Sequence, residues 1–449
     1  MFKLNKKRDL TTGSITGGLW SFAIPLMLGN VFQQFYNLAD TWVVGRYVGD
    51  NALAAVGSSY TLLTFLTSVI TGLSLGTGAY VSMEFGRRRD DEIRSGVYMS
   101  SVMIGALALG IMLLFYMLVD PIIALLCVPT EIAGDMKTYL LWVFIGFFAT
   151  FLYNYISNLL RAVGNSVVPL VFLSLSVVLN VALDLYFVIS LEMGITGAAA
   201  ATVISQYVSG IGLLLYFIFA CPEYRVKKED MHFEHEKFKK ILSLSGFTCL
   251  QQSVMNFGIL VVQGIVNSFG AVVMAAFAVA VKIDTIAYMP LQDFGNAFSV
   301  FVAQNFGAQK TERIRSGIRQ AALSVAIFSM AVSAIVFCFA SPLMSIFVDS
   351  ANQNTIAEGV RYLQIEGACY IGIGVLFMLY GYYRAVNMPL MSVVLTVVSL
   401  GTRVLLAYTL PKTGSVGVVG IWLSVPIGWF LADACGIIYY FARKIKGAK

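Results

Sequence analysis

Two carboxylates, Asp40 and Asp184, lie inside apolar runs of this chain, and each has polar companions at helical spacing. Gln33, Tyr36, Asn37 and Asp40 fall at i, i+3, i+4 and i+7, so a helix puts them on one face. Asn180 and Asp184 are spaced i, i+4. Thr202, Ser205, Gln206 and Ser209 repeat the first pattern, as do Asn154, Ser157, Asn158 and Arg161. In hydrocarbon such faces must look at protein or water. Serine and threonine there read mainly as interhelical hydrogen-bond donors. The aspartates do not fit that role. An uncompensated charge at the bilayer centre costs about 2.5–3.5 kcal/mol or more, and two neighbouring carboxylates repel. Either one keeps a proton or a cation sits between them. Oxygens from Asn180 and Thr202 would suit Na⁺, a hard cation. Asp40, Asn180, Asp184 and Thr202 are therefore a candidate H⁺- or Na⁺-binding site, the alternative being buried structural acids.

Depth brings these positions together. Asp40 precedes Gly45, where its span ends, by five residues; Asp184 precedes Ser190 by six; Thr202 follows Gly197 by five. At ~1.5 Å per residue the three share a level in the outer half of a bilayer. Asn180 is one turn deeper. Asn154 and Asn158 lie nearer the inner end and could line only a deeper cavity. In the span that carries Asp40, Pro25 removes a backbone donor and Gly29 follows a turn later, which predicts a bend. The bend is either a static kink or a hinge that answers to occupancy at Asp40.

The positioning elements are membrane helices. Hydrophobic residues make up 58% of the 449 and charged ones 12%, half the usual charged share of a soluble domain. Apolar runs of about 20 residues, each long enough to cross a ~30 Å core, number twelve, six per half; the tenth is expected over 359–383. Barrel strands would be shorter and alternate in polarity. Lysine and arginine cluster at Lys3 to Arg8, Arg87 to Arg94, Arg225 to Lys240, Lys310 to Arg319 and Arg443 to Lys449, whereas the opposite side holds Arg46, Lys137, Arg361 and Lys412. This bias predicts both termini in the cytoplasm. The net charge of +6 then reflects topology and implies no nucleic-acid partner. The six cysteines show no CxxC pair, His232 and His235 sit in a charged loop without cysteine partners, and no phosphate-binding GxxxxGK[ST] occurs. No nucleophile–base or metal constellation suggests an enzyme, and no cofactor is expected beyond the coupling ion.

The chain also repeats itself. Phe85-Gly86 followed by Ile93-Arg94-Ser95-Gly96 recurs as Phe306-Gly307 followed by Ile314-Arg315-Ser316-Gly317, 221 residues later. Gly49 with Ala54-Ala55 recurs as Gly270 with Ala275-Ala276. Tyr139-Leu140 and Arg161-Ala162-Val163 recur as Tyr362-Leu363 and Arg384-Ala385-Val386, 223 residues later. An even number of spans per copy gives both copies one orientation, related by a pseudo-two-fold axis along the membrane normal. The expected fold is all-α: residues 1–220 as an N-terminal lobe, 221–240 as a cytoplasmic linker and 241–449 as a C-terminal lobe. The second lobe carries Lys282, Asp284, Glu366 and Arg403 inside its spans, two charges of each sign. Glu366 could contact a cationic substrate or pair with Lys282 or Arg403.

Taken together, Pro25, Gln34, Asp40, Gly49, Arg161-Ala162-Val163-Gly164-Asn165, Asn180, Asp184, Met193-Gly194, Gly197-Ala198-Ala199, Lys282-Ile283-Asp284, Pro290 and Gln304-Asn305-Phe306-Gly307-Ala308 resemble the multidrug and toxic compound extrusion (MATE) family over nearly the whole chain. The resemblance implies two six-helix lobes around a central cavity and export of organic cations in exchange for H⁺ or Na⁺ by alternating access. It is nearest the DinF-like branch, where coupling is assigned to acids matching Asp40 and Asp184, with Asn180 and Thr202 as companions and Tyr139 and Asn154 or Asn158 nearby. Helix seven carries Gln252 and Asn256 in place of the acids another branch uses. Gln33, Gln34, Tyr36, Asn37, Tyr139, Asn154, Asn158, Gln206 and Glu366 are the candidate cavity residues. A monomer in a bacterial-type inner membrane, acting on small cationic amphiphiles, is the expectation. The rivals are a flippase for lipid-linked precursors and a sensor or channel without gradient-driven transport.

Overall fold

A computed structural model describes residues 8–125, 128–349, 351–413 and 416–446. Lys3 to Lys7 and residues 447–449, on which the orientation of the termini partly rests, lie outside the described residues. Fourteen α-helices and no strands occur among them: α1 (Ile15–Val43), α2 (Asp50–Gly86), α3 (Asp90–Met117), α4 (Val119–Leu125), α5 (Thr130–Ala162), α6 (Val167–Asp184), α7 (Gly194–Ala220), α8 (His235–Asn267), α9 (Ala271–Gly307), α10 (Thr311–Ser345), α11 (Gln353–Gly367), α12 (Tyr370–Ala385), α13 (Pro389–Thr409) and α14 (Val419–Lys446). Eleven are long and apolar enough to span a membrane, and α11 with α12 makes a twelfth, broken span.

That span departs from the continuous run expected over 359–383. Its halves meet at a 52° bend, where Cys369 N–H bonds the Glu366 carbonyl and Gly372 N–H bonds the Cys369 carbonyl, both at 2.9 Å. These tight turns keep the backbone satisfied through the break, the condition for irregular chain at membrane depth. Hydropathy carries no record of them.

Two compact units divide the described chain. One holds residues 8–9 and 24–249, the other 10–23 and 250–446. The sequence boundaries follow the repeat and the compact units follow the packing, so the two divisions part at residues 10–23 and 241–249. In the first unit α5 packs on α2, α3 and α7, and α6 packs on α7. Small residues permit the closest of these crossings: a Cβ on Gly210 would stand 2.9 Å from the Ala149 carbonyl oxygen. In the second unit α9 packs on α10, α11 and α12, and α14 on α11, α12 and α13. Buried Trp422 stacks on Phe277 at 5.5 Å and meets Tyr362 edge-on at 5.0 Å.

The sequence repeat is written into the backbone of each unit. Gly49 and Gly270 precede α2 and α9 with φ of 120° and 94°. Arg88 and Gln309 turn the chain after those helices with φ of 61° and 57°. The glycine of each Ile-Arg-Ser-Gly motif makes room for a ring on the preceding helix: a Cβ on Gly96 would lie 2.4 Å from Tyr80, and one on Gly317 2.2 Å from Phe301. Each of these pairs is separated by the same 221 residues.

Candidate cation-coupling site

Asp40 on α1, Asn180 and Asp184 on α6, Thr202 on α7 and Tyr139 on α5 are all buried in the first unit; Asn180 and Asp184 are 0% exposed and Asp40 is 7%. Asn180 Nδ2 faces Thr202 Oγ1 at 3.5 Å. Asp184 lies within electrostatic reach of Asp40, and Tyr139 within reach of both. Tyr36, on the same face of α1, reaches Thr202 and senses both acids. Yet Asp40 Oδ1, both Asp184 carboxyl oxygens and Asn180 Oδ1 are enclosed without a hydrogen-bond partner. Buried acceptors are normally satisfied, so four such oxygens in one neighbourhood suit a proton or a small cation.

Local structure sets this up. α6 keeps regular geometry up to Asp184 and then widens into a π-helical turn over Leu185–Ser190. α1 does the same over Val44–Val48, just beyond Asp40. Such turns are frequent at functional sites, and no local residue pattern foretells them.

The other candidates scatter. Tyr36, Asn37 and Gln34 are half-buried, and Gln33 is exposed. Asn154 and Asn158 spend their amides on carbonyls of their own helix, at Thr150 (2.9 Å) and Asn154 (2.8 Å). Gln206 Oε1 is enclosed without a partner. α1 runs unbroken through Pro25, and Gly29 faces Leu173 and Leu170 of α6.

Glu366 belongs to the second unit. Its carboxyl is within hydrogen-bonding reach of Asp284 and Tyr362, and Arg403 is the cation both acids feel. Tyr370, just past the bend, donates to Asp284 Oδ1 at 2.8 Å. Of the two bases considered for Glu366, Arg403 stands in this cluster, whereas Lys282 is exposed. Arg403 thus lies within electrostatic reach of Asp284 and Glu366, whereas no Lys or Arg among the described residues acts on Asp40 or Asp184. Three further charges are buried here: Arg384, which sequence reading named only as part of the repeat, and Asp293 and Asp433, which it passed over. Each interrupts an apolar run, the same signal that singled out Asp184.

The segment between α7 and α8 forms two short turns, Pro222–Tyr224 and Lys228–Asp230, tied to α3. Arg94 Nε bonds Asp230 at 2.9 Å. Burial works to raise the Asp230 carboxyl, but the Lys227 N–H and the Arg94 guanidinium outweigh it and hold it below the usual range. His232 is held above its ordinary value by the Glu229 carbonyl and then Glu234.

Among the described residues, no three His, Cys, Asp or Glu side chains form a metal-ion cluster. The MatE family model matches residues 25–186 and 248–409. The chain is 29% identical to the probable multidrug resistance protein YpnP of Bacillus subtilis, covering 99% of both chains. It is 25% identical to the probable multidrug resistance protein NorM of Thermotoga maritima, covering 95% of this chain and 92% of that one. Among solved structures, it resembles the outward-facing conformation of a multidrug resistance MATE family transporter of the MOP superfamily, with a TM-score of 0.91 at 22% identity over 98% of both chains. A MATE crystallised in a bent conformation gives a TM-score of 0.90 at 21% identity, over 99% of this chain and 100% of that one.

Proposed function

The chain belongs to the MatE family, a secondary-active multidrug transporter and not an enzyme, and we propose that a cation bound at Asp40 and Asp184 drives its export cycle. One observation carries this: Asp40 Oδ1, both Asp184 carboxyl oxygens and Asn180 Oδ1 are buried without hydrogen-bond donors. A proton neutralises one acid and lets it donate to the other groups. Na⁺ uses the same oxygens as ligands. In both cases the site is stable only when filled, so emptying it favours a rearrangement that lets water or solute in.

Binding drives a cycle only through differential affinity for two states. Entry of H⁺ or Na⁺ from the outer side stabilises the state that has released its drug; return to the inner side restores drug affinity. The substrates are small cationic amphiphiles, the class that the MATE resemblance implies, and the relatives' description as probable multidrug resistance proteins is in keeping with it. That no Lys or Arg among the described residues acts on Asp40 or Asp184 supports a DinF-like arrangement, with coupling there and a static role for the Asp284–Glu366–Arg403 cluster. The chain works as a monomer in a bacterial inner membrane, with both termini in the cytoplasm and two pseudo-symmetric lobes. Pro25 and Gly29 let α1 bend as the site fills.

The test is efflux of a fluorescent cation from energised vesicles. Asp40→Asn and Asp184→Asn should each weaken coupling by roughly tenfold or more, within the usual range of linkage between sites. Gradient-driven efflux at the wild-type rate in both variants would defeat the assignment. Proteoliposomes with and without Na⁺, read by substrate-induced pH change, separate H⁺ from Na⁺.

A further inference from the structure

Asp433 lies midway along α14, in the second unit, and is 6% exposed. Its Oδ1 is enclosed without a hydrogen-bond partner. Two glycines bracket it and bring α14 hard against its neighbours. A Cβ on Gly428 would stand 2.4 Å from the Ser399 carbonyl of α13, and one on Gly436 2.8 Å from Leu379 of α12. The Tyr383 hydroxyl bonds the Gly436 carbonyl at 2.6 Å and seals the side towards α12. Asp433 is thus walled in by packing that makes no provision for its charge.

Among the described residues, none of the charged groups on the neighbouring helices compensates it. On α12, Arg384 is engaged with Ser299 and Asn296 of α9, and Tyr380 is the titratable group that feels Asp433. On α13, Arg403 serves Asp284 and Glu366. On α11, Glu358 accepts from Trp422 and pairs with Arg361, while Glu366 faces Asp284. On α14 itself, Cys435 is half-buried and Arg443 is exposed at the far end.

A buried carboxylate with no cation is strongly disfavoured, and a structural acid is normally fixed by hydrogen bonds. Asp433 has neither form of support. A metal ion needs several oxygens, and among the described residues no group of three His, Cys, Asp or Glu side chains gathers here. A bulky organic cation has no room at 6% exposure. A proton needs only one oxygen and a narrow opening.

We propose that Asp433 is a second proton-binding site, loaded and emptied during transport in the unit that does not hold Asp40 and Asp184. This rests on the chain being a secondary-active transporter, and it is independent of the coupling role given to Asp40 and Asp184. Infrared difference spectra of the full-length protein in lipid, between acidic and alkaline buffer, report each titrating carboxyl by its protonated carbonyl stretch. The expected result is a band that Asp433→Asn removes, Asp433→Glu shifts, and a double Asp40→Asn, Asp184→Asn variant retains. In proteoliposomes Asp433→Asn should lower the number of protons exchanged per substrate by one. Should Asp433→Asn not reach the membrane, Asp433→Glu decides alone, since a shifted band supports the site. Spectra of the Asp433 variants that superimpose on wild type overturn the proposal, as does a band present at every pH, the mark of a permanently neutral structural acid.

Discussion

At the scale of residues, the informative contrast is between acids with a countercharge and acids without one. Asp284 and Glu366 are buried beside Arg403; Asp40 and Asp184 are buried beside amides, a hydroxyl and phenols. Removing one partner from a buried ionic group leaves an uncompensated charge and typically costs about 3–5 kcal/mol. Arg403→Leu should therefore lower thermal stability in detergent by that order, while Lys282→Met, at an exposed position, should leave it nearly unchanged. Equal effects would mean that Arg403 does not hold the cluster together. The sequence named all six acids and bases in this comparison, because a charge in an apolar run stands out. Which base serves which acid was not legible, since Lys282 and Arg403 differ only in where packing points them.

At the scale of elements, glycine positions and the inter-helix loop can be tested separately. Gly96 and Gly317 are pressed against Tyr80 and Phe301. Alanine at each should displace the ring and cost about 1–3 kcal/mol, the usual price of overpacking. Paired melts of Gly96→Ala and Gly317→Ala should show similar losses if the repeat has one packing logic in both copies; a loss confined to one copy would refute that. The turn at Lys228–Asp230 responds to pH. Because the Asp230 carboxyl is held below its unfolded value, its contribution is complete above about pH 4 and disappears as pH falls through the folded value. Hydrogen-exchange protection over residues 222–231, taken relative to the intrinsic rate at each pH, should be high at neutral pH, lower in Asp230→Asn, and lower in the wild type only under strongly acidic conditions. Exchange in Asp230→Asn that matches the wild type would remove the tie to Arg94. The basic run was legible as a loop, but its partner on α3 was not, because the contact spans 136 residues.

At the scale of the whole molecule, the chain changes compact unit within helices. Residues 10–23 fold with the second unit: Gln304 Oε1 accepts from Leu10 N–H at 3.0 Å, Arg313 bonds the Leu10 and Thr12 carbonyls, and Trp20 donates to Ser324 at 3.3 Å. The start of α8 folds with the first unit, where Ser245 meets Thr77 at 3.0 Å and the Ser245 and Cys249 backbones abut Gly76 and Gly72. α1 leaves the second unit between Ala23 and Ile24, beside Pro25, so that proline stands where any flexing of α1 would be concentrated. Pro25→Ala should slow efflux without lowering the melting temperature, because restoring a helix-interior donor adds no strain; wild-type efflux would remove Pro25 from the cycle. The spans, the repeat and the candidate acids Asp40 and Asp184 were legible in the sequence alone, since hydropathy, spacing and a charge in an oily run are local properties of the chain. The break after Gly367, the π-helical turns beyond Asp40 and Asp184, the exchange of helix halves and the enclosure of Asp433 were decided only by tertiary structure. Each depends on which surfaces of distant helices come within van der Waals contact, and no local pattern encodes that.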